Sequence, residues 1–171
     1  MKRILIGMIT LLLLLGSSVT GRGQCFSMEF LKQVPQKIIS VATVSGSMIE
    51  ALKKKETNAE LLAFLNELSF LQIITISTTF AMQTDEYCRR AMEQVRNCAQ
   101  GEELLSIKDG QRQTLLMAFN KTAGNKAGEI VFINCDGNTL TIVNITGNIS
   151  INNLGKLSSL SRSIKESTKN L

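Results

Sequence analysis

The chain has 171 residues, 19 Lys and Arg against 14 Asp and Glu, a formal charge of +5, four Cys and no His. One compact domain is the expectation at this length, and a hydrophobic content of 44 % excludes a disordered chain. Without His, neither a Ser-His-Asp nor a Cys-His nucleophile pair can be built, and no zinc site that uses imidazole.

The first elements form an address. Lys2 and Arg3 precede an apolar run from Ile4 to Leu15, broken only by Gly7 and Thr10, and Gly16 to Gly21 is small and polar. That is the layout of a secretory signal peptide, and the run is shorter than the ~20 residues of a transmembrane helix. Cleavage after Gly23 makes residues 1–23 the signal and leaves 24–171 as one domain with an ordered core of about 26–166. Cleavage after Gly21 is the alternative. Cys25 follows closely, but Gln24 and Arg22 occupy positions where lipid attachment wants a small and an aliphatic residue, so a lipid anchor is disfavoured. Losing Lys2, Arg3 and Arg22 takes the basic count from 19 to 16 against 14 acidic residues, a net charge of +2. Nucleic-acid binding thereby loses its compositional support. No later run is long enough to span a membrane.

In the mature chain, Phe26, Phe30, Leu31 and Val34 have helical spacing and Pro35 ends the segment. Ile38 to Val44 is β-branched and reads as a strand. Ser47 with Glu50, then Thr57 with Glu60, are capping-box patterns that predict two helices. Lys53, Lys54 and Lys55 end the first of them, where cations oppose the helix dipole favourably; a solvated helix end explains them better than an anionic partner. Phe70 to Ser77 is apolar on both faces and predicts a central strand. Thr84, followed by Asp85 and Glu86, predicts a helix start. Tyr87, Cys88, Ala91, Met92, Val95 and Ala99 mark that helix's buried face, and Gly101 its stop.

The last third reads as four strands in two hairpins. Asp109-Gly110 and Asp136-Gly137 are each flanked by strand-like sequence, and Asp-Gly suits a turn whose two central residues both have positive φ. A polar loop from Lys121 to Gly128 joins the hairpins. A helix with Ile151, Leu154, Leu157 and Leu160 on one side is expected from about Ser150. The expected fold class is α+β: a twisted, largely antiparallel sheet with a C-terminal four-stranded meander and helices packed mainly on one face.

Chemistry-bearing groups are sparse. Cys25, Cys88, Cys98 and Cys135 are disulfide candidates in an exported protein, with free core thiols as the alternative. If Cys88 and Cys98 share one helix they are ten residues apart, about 15 Å along its axis, and cannot pair. Two complete schemes remain open. No Cys-x-x-Cys occurs, so a dithiol centre or Cys-based zinc site is unsupported. The acid pairs Asp85-Glu86 and Glu102-Glu103 fit a helix start and an exposed strand entry better than catalysis. No P-loop or dinucleotide glycine pattern occurs, and the seven Met are scattered as core filling. Sequons begin at Asn120, Asn144 and Asn148, but in a bacterial protein they carry no standard N-glycan. The residues thus point to no catalytic, cofactor-binding or metal site.

Several segments carry a resemblance: Ile39 to Leu52, the run Phe70-Leu71-Gln72-Ile73-Ile74-Thr75-Ile76, Glu103 to Gly110, and above all Leu140 to Ile149 with Ile151 and Leu154 after it. Over about residues 26–165 the chain resembles a family of small exported proteins typical of Bacteroidetes, catalogued as domain of unknown function 4252. The resemblance implies a periplasmic or cell-envelope location and supplies no catalytic residues. The four cysteines and the Arg22-Gly23-Gln24 junction depart from the family's pattern. The functional expectation is a non-enzymatic binding or protein-interaction module whose partner is an envelope protein or ligand. An enzyme of unfamiliar type using Asp, Glu, Ser or Lys, and an envelope signalling or stress-response component, are the alternatives.

Overall fold

The computed structural model describes residues 29–156. In chain order these form α1 (Glu29–Lys32), a 3-10 turn (Gln36–Ile38), β1 (Ile39–Val44), α2 (Gly46–Lys55), α3 (Ala59–Glu67), β2 (Leu68–Ser77) and α4 (Ala81–Arg96). Then come β3 (Gly101–Asp109), β4 (Arg112–Phe119), β5 (Lys126–Asp136), β6 (Thr139–Ser150) and a 3-10 turn (Ile151–Lys156). The strands make one six-stranded antiparallel sheet in the order β1-β2-β6-β5-β4-β3. The fold class is α+β, and the C-terminal meander is present. The last meander strand returns to pair with β2, so β2, β6, β5 and β4 are internal, and β1 and β3 are the edges.

The helices divide between the two faces, which corrects the expectation that they lie mainly on one. β2, β4, β5 and β6 are apolar at both parities, so neither face tolerates full exposure. On one face α1 and α4 cover Ile74, Ile76, Leu115, Ile133, Leu140 and Ile142, all completely buried. On the other, α2 and α3 contribute Ile49, Leu61, Phe64 and Leu65, packed on Leu71, Ala118, Ile130, Ile145 and Ile149. Each fully buried Leu, Ile or Phe contributes about 1.5–3 kcal/mol.

Helix starts differ from the sequence patterns, and of α2, α3 and α4 only α3 has a side chain that reaches its free N–H groups. Ser45, not Ser47, is the N-cap position of α2; its Oγ lies 2.9 Å from the Ser47 Oγ. Asn58, not Thr57, caps α3, accepting from the N–H groups of Glu60 and Leu61 at 2.9 and 3.1 Å. Thr84 is not a cap: α4 begins at Ala81, and Thr84 is buried inside it with its Oγ 2.6 Å from that of Thr78. The chain leaves α4 through Asn97 and a left-handed Gln100 at φ 64°. Gly101 instead opens β3, where a Cβ would overlap the Phe119 ring. Ala99, placed on the buried face by sequence, is exposed beyond the helix end.

Both hairpins turn one residue later than expected. Asp109 pairs with Arg112 and Asp136 with Thr139, so the central residues are Gly110-Gln111 and Gly137-Asn138. Only the glycines have positive φ, 56° and 57°. This is the glycine-first II′ pattern, and each Asp is the last residue of its strand. The helix expected from Ser150 is also corrected. β6 continues to Ser150 and is followed by a 3-10 turn; Leu157 and Leu160 lie outside the described residues, as do Phe26 and residues 1–23.

Candidate functional site

Antiparallel register assigns every strand residue to a face. On the face of α2 and α3, one row across the sheet is Leu105, Leu116, Phe132, Val143, Ile73 and Ala42. The next row outward is Ile107, Thr114, Asn134, Thr141, Thr75 and Ser40. The four central residues of the first row are half-buried, whereas Leu105 and Ile107 are 41 % and 49 % exposed. Among the described residues, α2 and α3 pack beside the neighbouring row of Ala118, Ile130, Ile145 and Leu71 and leave these two rows as an open band. One row is apolar and the other mostly hydroxyl or amide, with Thr114 Oγ donating to Asn134 Oδ1 at 3.0 Å. Two rows and six strands measure about 14 by 24 Å. One helix of about 16 residues, 10–12 Å wide, fits that strip.

The way α3 ends decides where the cover stops. Glu67, its last residue, accepts from the Ser150 N–H at 3.0 Å and from Asn153 Nδ2 at 2.8 Å, pinning that end over the far end of β6. Gly147 lies directly beneath, where a Cβ would overlap the Glu67 carbonyl. The band lies at the opposite end of β6, toward Thr139.

The other sequence-derived candidates fall elsewhere and do not converge. Cys88 and Cys135 are joined by a disulfide, with Cα atoms 6.3 Å apart, that ties α4 to β5 inside the covered core. Cys98 lies just beyond α4 and is also disulfide-bonded, and Cys25 lies outside the described residues. Asp85 and Glu86 are exposed on α4. Glu86 and Glu93 both grip Arg89, and their hydrogen bonds and charge hold the guanidinium above its ordinary pKa. Glu102 pairs with Lys121 at 2.6 Å and Glu103 with Arg96 at 3.2 Å. Glu86, Glu102 and Glu103 are therefore in surface ion pairs with their own cations rather than set as two carboxylates across a cleft. Lys53, at the end of α2, pairs with Glu50 at 2.6 Å. Among the described residues no group of three His, Cys, Asp or Glu could hold a metal ion, and no helix is long and apolar enough to cross a membrane. Asn120 and Asn148 are exposed; Asn144 is buried, which closes that sequon to modification in the folded protein.

Two buried polar residues carried no sequence signal of their own. Glu129 and Asn144 lie on the covered face, 1 % and 2 % exposed. Glu129 is partnered, but no donor among the described residues reaches Asn144 Oδ1. Glu129 shares the parity of Val131 and Ile133, which places it on the α4 face, whereas the register shift between Ala127 and Glu129 sends Ala127 to the other face.

Fold and surface together define a small α+β domain with one closed and one half-open sheet face. Residues 35–157 match the family described as Domain of unknown function (DUF4252), and the chain belongs to that family. No curated protein matches the chain. Among solved structures it is similar to the extracellular domain of PknH from Mycobacterium tuberculosis, at 10 % identity and a TM-score of 0.33 over 70 % of this chain and 74 % of that one. A likeness that distant carries no functional argument.

Proposed function

We propose that this protein is an exported, non-enzymatic interaction module of the cell envelope whose contact surface is the open band. The observation that carries the reading is the apolar row Leu105-Leu116-Phe132-Val143-Ile73, left without a covering helix among the described residues. Contiguous exposed apolar surface marks sites of protein contact. The band's dimensions and its apolar-beside-hydroxyl rows suit one amphipathic helix of a partner protein in the envelope. The signal-like N-terminus supports export, and the Cys88–Cys135 disulfide suits an oxidising compartment.

The test places a photo-crosslinking residue at Leu105 in the full chain, in cells, with the exposed Met82 on α4 as control position. The expected result is one discrete adduct with a second envelope protein from Leu105, none from Met82, and its loss on Ile107→Lys. A crosslink within the chain itself, or identical products from both positions, overturns the reading. Fractionation tests the location: a processed chain in the periplasmic or envelope fraction is expected, and an unprocessed cytoplasmic one overturns it.

A further inference from the structure

The two edges of the sheet are built differently. β3 carries Glu102, Glu103, Lys108 and Asp109, and its pairing with β4 is interrupted by a register shift between Glu103 and Leu105. Charges and bulges are the devices that stop an edge from recruiting another strand. β1 has neither. Its six residues, Ile39-Ser40-Val41-Ala42-Thr43-Val44, include no charge, no Pro and no Gly, and pair with β2 in unbroken register. The four middle residues are exposed, and Val41 is 45 % exposed. Among the described residues nothing pairs with the outer side of this strand.

We propose that β1 pairs antiparallel with β1 of a second copy of this chain, joining two sheets into one of twelve strands. A two-fold axis perpendicular to the sheet keeps each residue on its own face, so opposed residues must have the same parity. That condition admits registers centred on Val41 or on Ala42. The Val41-centred register is preferred because it opposes the two exposed Val41 side chains on the α4 face, and cross-strand β-branched pairs are favourable. It sets Ser40 opposite Ala42 and Ile39 opposite Thr43. Lys37, the nearest charge before the strand, falls opposite Ser45, so no like charges meet. A charged edge would repel its own copy; this one does not. Two six-residue strands bury less than the ~1,200 Å² of standard stable interfaces, so the dimer is weak and concentration-dependent. The pairing uses the outer edge of β1 and Val41 on the α4 face, whereas the band is the opposite sheet face and meets β1 only at Ser40 and Ala42, so either can fail without the other.

The experiment is sedimentation velocity on the chain expressed in full and purified as the cell processes it, from low micromolar to millimolar concentration. A monomer–dimer equilibrium is expected. Val41→Lys should weaken it at least tenfold while leaving the circular dichroism spectrum and thermal midpoint near the parent, because Val41 is exposed. Leu105→Lys, on the guarded edge, should leave dimerisation unchanged. Val41→Cys should yield a disulfide-linked dimer on a non-reducing gel, since directly opposed residues have Cα separations of about 4.5–5.5 Å. Thr43→Cys should not. A monomer at every concentration, a dimer that survives Val41→Lys, a dimer abolished by Leu105→Lys, or a monomer whose β1 binds only a foreign peptide strand each overturns the proposal.

Discussion

Adjacent residues on the same four strands meet two different fates. Leu115, Ile133, Ile142 and Ile74 form a row beneath α4 and are completely buried. Leu116, Phe132, Val143 and Ile73, one residue away on each strand, form a row on the opposite face and remain half-buried. The apolar pattern is the same; the difference is the helix above it. α4 has 16 residues and spans β3 to β6, whereas α2 and α3 have 10 and 9 residues and pack chiefly toward β2 and β6. Hydrophobic content alone therefore does not mark core. A short helix leaves apolar surface over, and that surplus is where a partner gains most by docking.

The contrast can be broken most forcefully at the disulfide. It closes a loop with a sequence separation of 47, and chain entropy sets its stabilisation at about 4 kcal/mol. The double replacement Cys88→Ala/Cys135→Ala should lower the urea-derived stability by that order. A loss below about 1 kcal/mol would show that α4 needs no staple. Next comes a pair of neighbours. Ile142→Ala should cost about 3 kcal/mol through lost burial and a residual cavity, while Val143→Ala on the open face should cost about 1 kcal/mol. Equal shifts in denaturation midpoint would erase the distinction between the faces.

Gly147→Ala should destabilise by about 2 kcal/mol, because its methyl group overlaps the Glu67 backbone carbonyl and no flexible side chain can give way. Comparing its thermal midpoint with that of Glu67→Gln separates backbone crowding from loss of the carboxylate's two hydrogen bonds. Asn144→Val should raise stability by about 1 kcal/mol by removing an unpaired acceptor from the covered core. A loss of stability there would mean that the amide is held by a partner such as ordered water. The smallest effect belongs to the band: Leu105→Asn should change stability by less than about 0.5 kcal/mol while abolishing the photo-adduct formed through the neighbouring exposed position Ile107.

Much of the architecture was legible in local pattern. Alternation and β-branching placed all six strands, Asp-Gly pairs placed both hairpins, and Leu31, Val34, Cys88, Ala91, Met92 and Val95 were correctly assigned to buried faces. Boundaries were less legible because neighbouring residues compete for one role. Thr57 and Asn58 both suit a cap, and geometry chose Asn58. Thr84 resembles a cap, yet its hydroxyl pairs with Thr78 from within the helix. Asp-Gly suggested a turn with both residues at its centre, but the strand kept the Asp and left glycine alone to supply positive φ. The candidate site was least legible. Leu105, Leu116, Phe132, Val143 and Ile73 look like any core residues, and no local feature reveals that cover stops short of them.

The sequence by itself determined the residue types of both faces, the strand periods, and the exclusion of His-based chemistry, because period and composition are local properties. It also carried the family membership over residues 35–157. Only tertiary structure decided that the helices divide between the faces, that Glu102 and Glu103 close onto Lys121 and Arg96, and that Cys88 meets Cys135. The same holds for β1 and β3 becoming edges of opposite character. The division of the helices, the Cys88–Cys135 contact and the edge strands depend on which distant segments meet, and that choice is made by the joint burial of both sheet faces rather than by any one segment's preference.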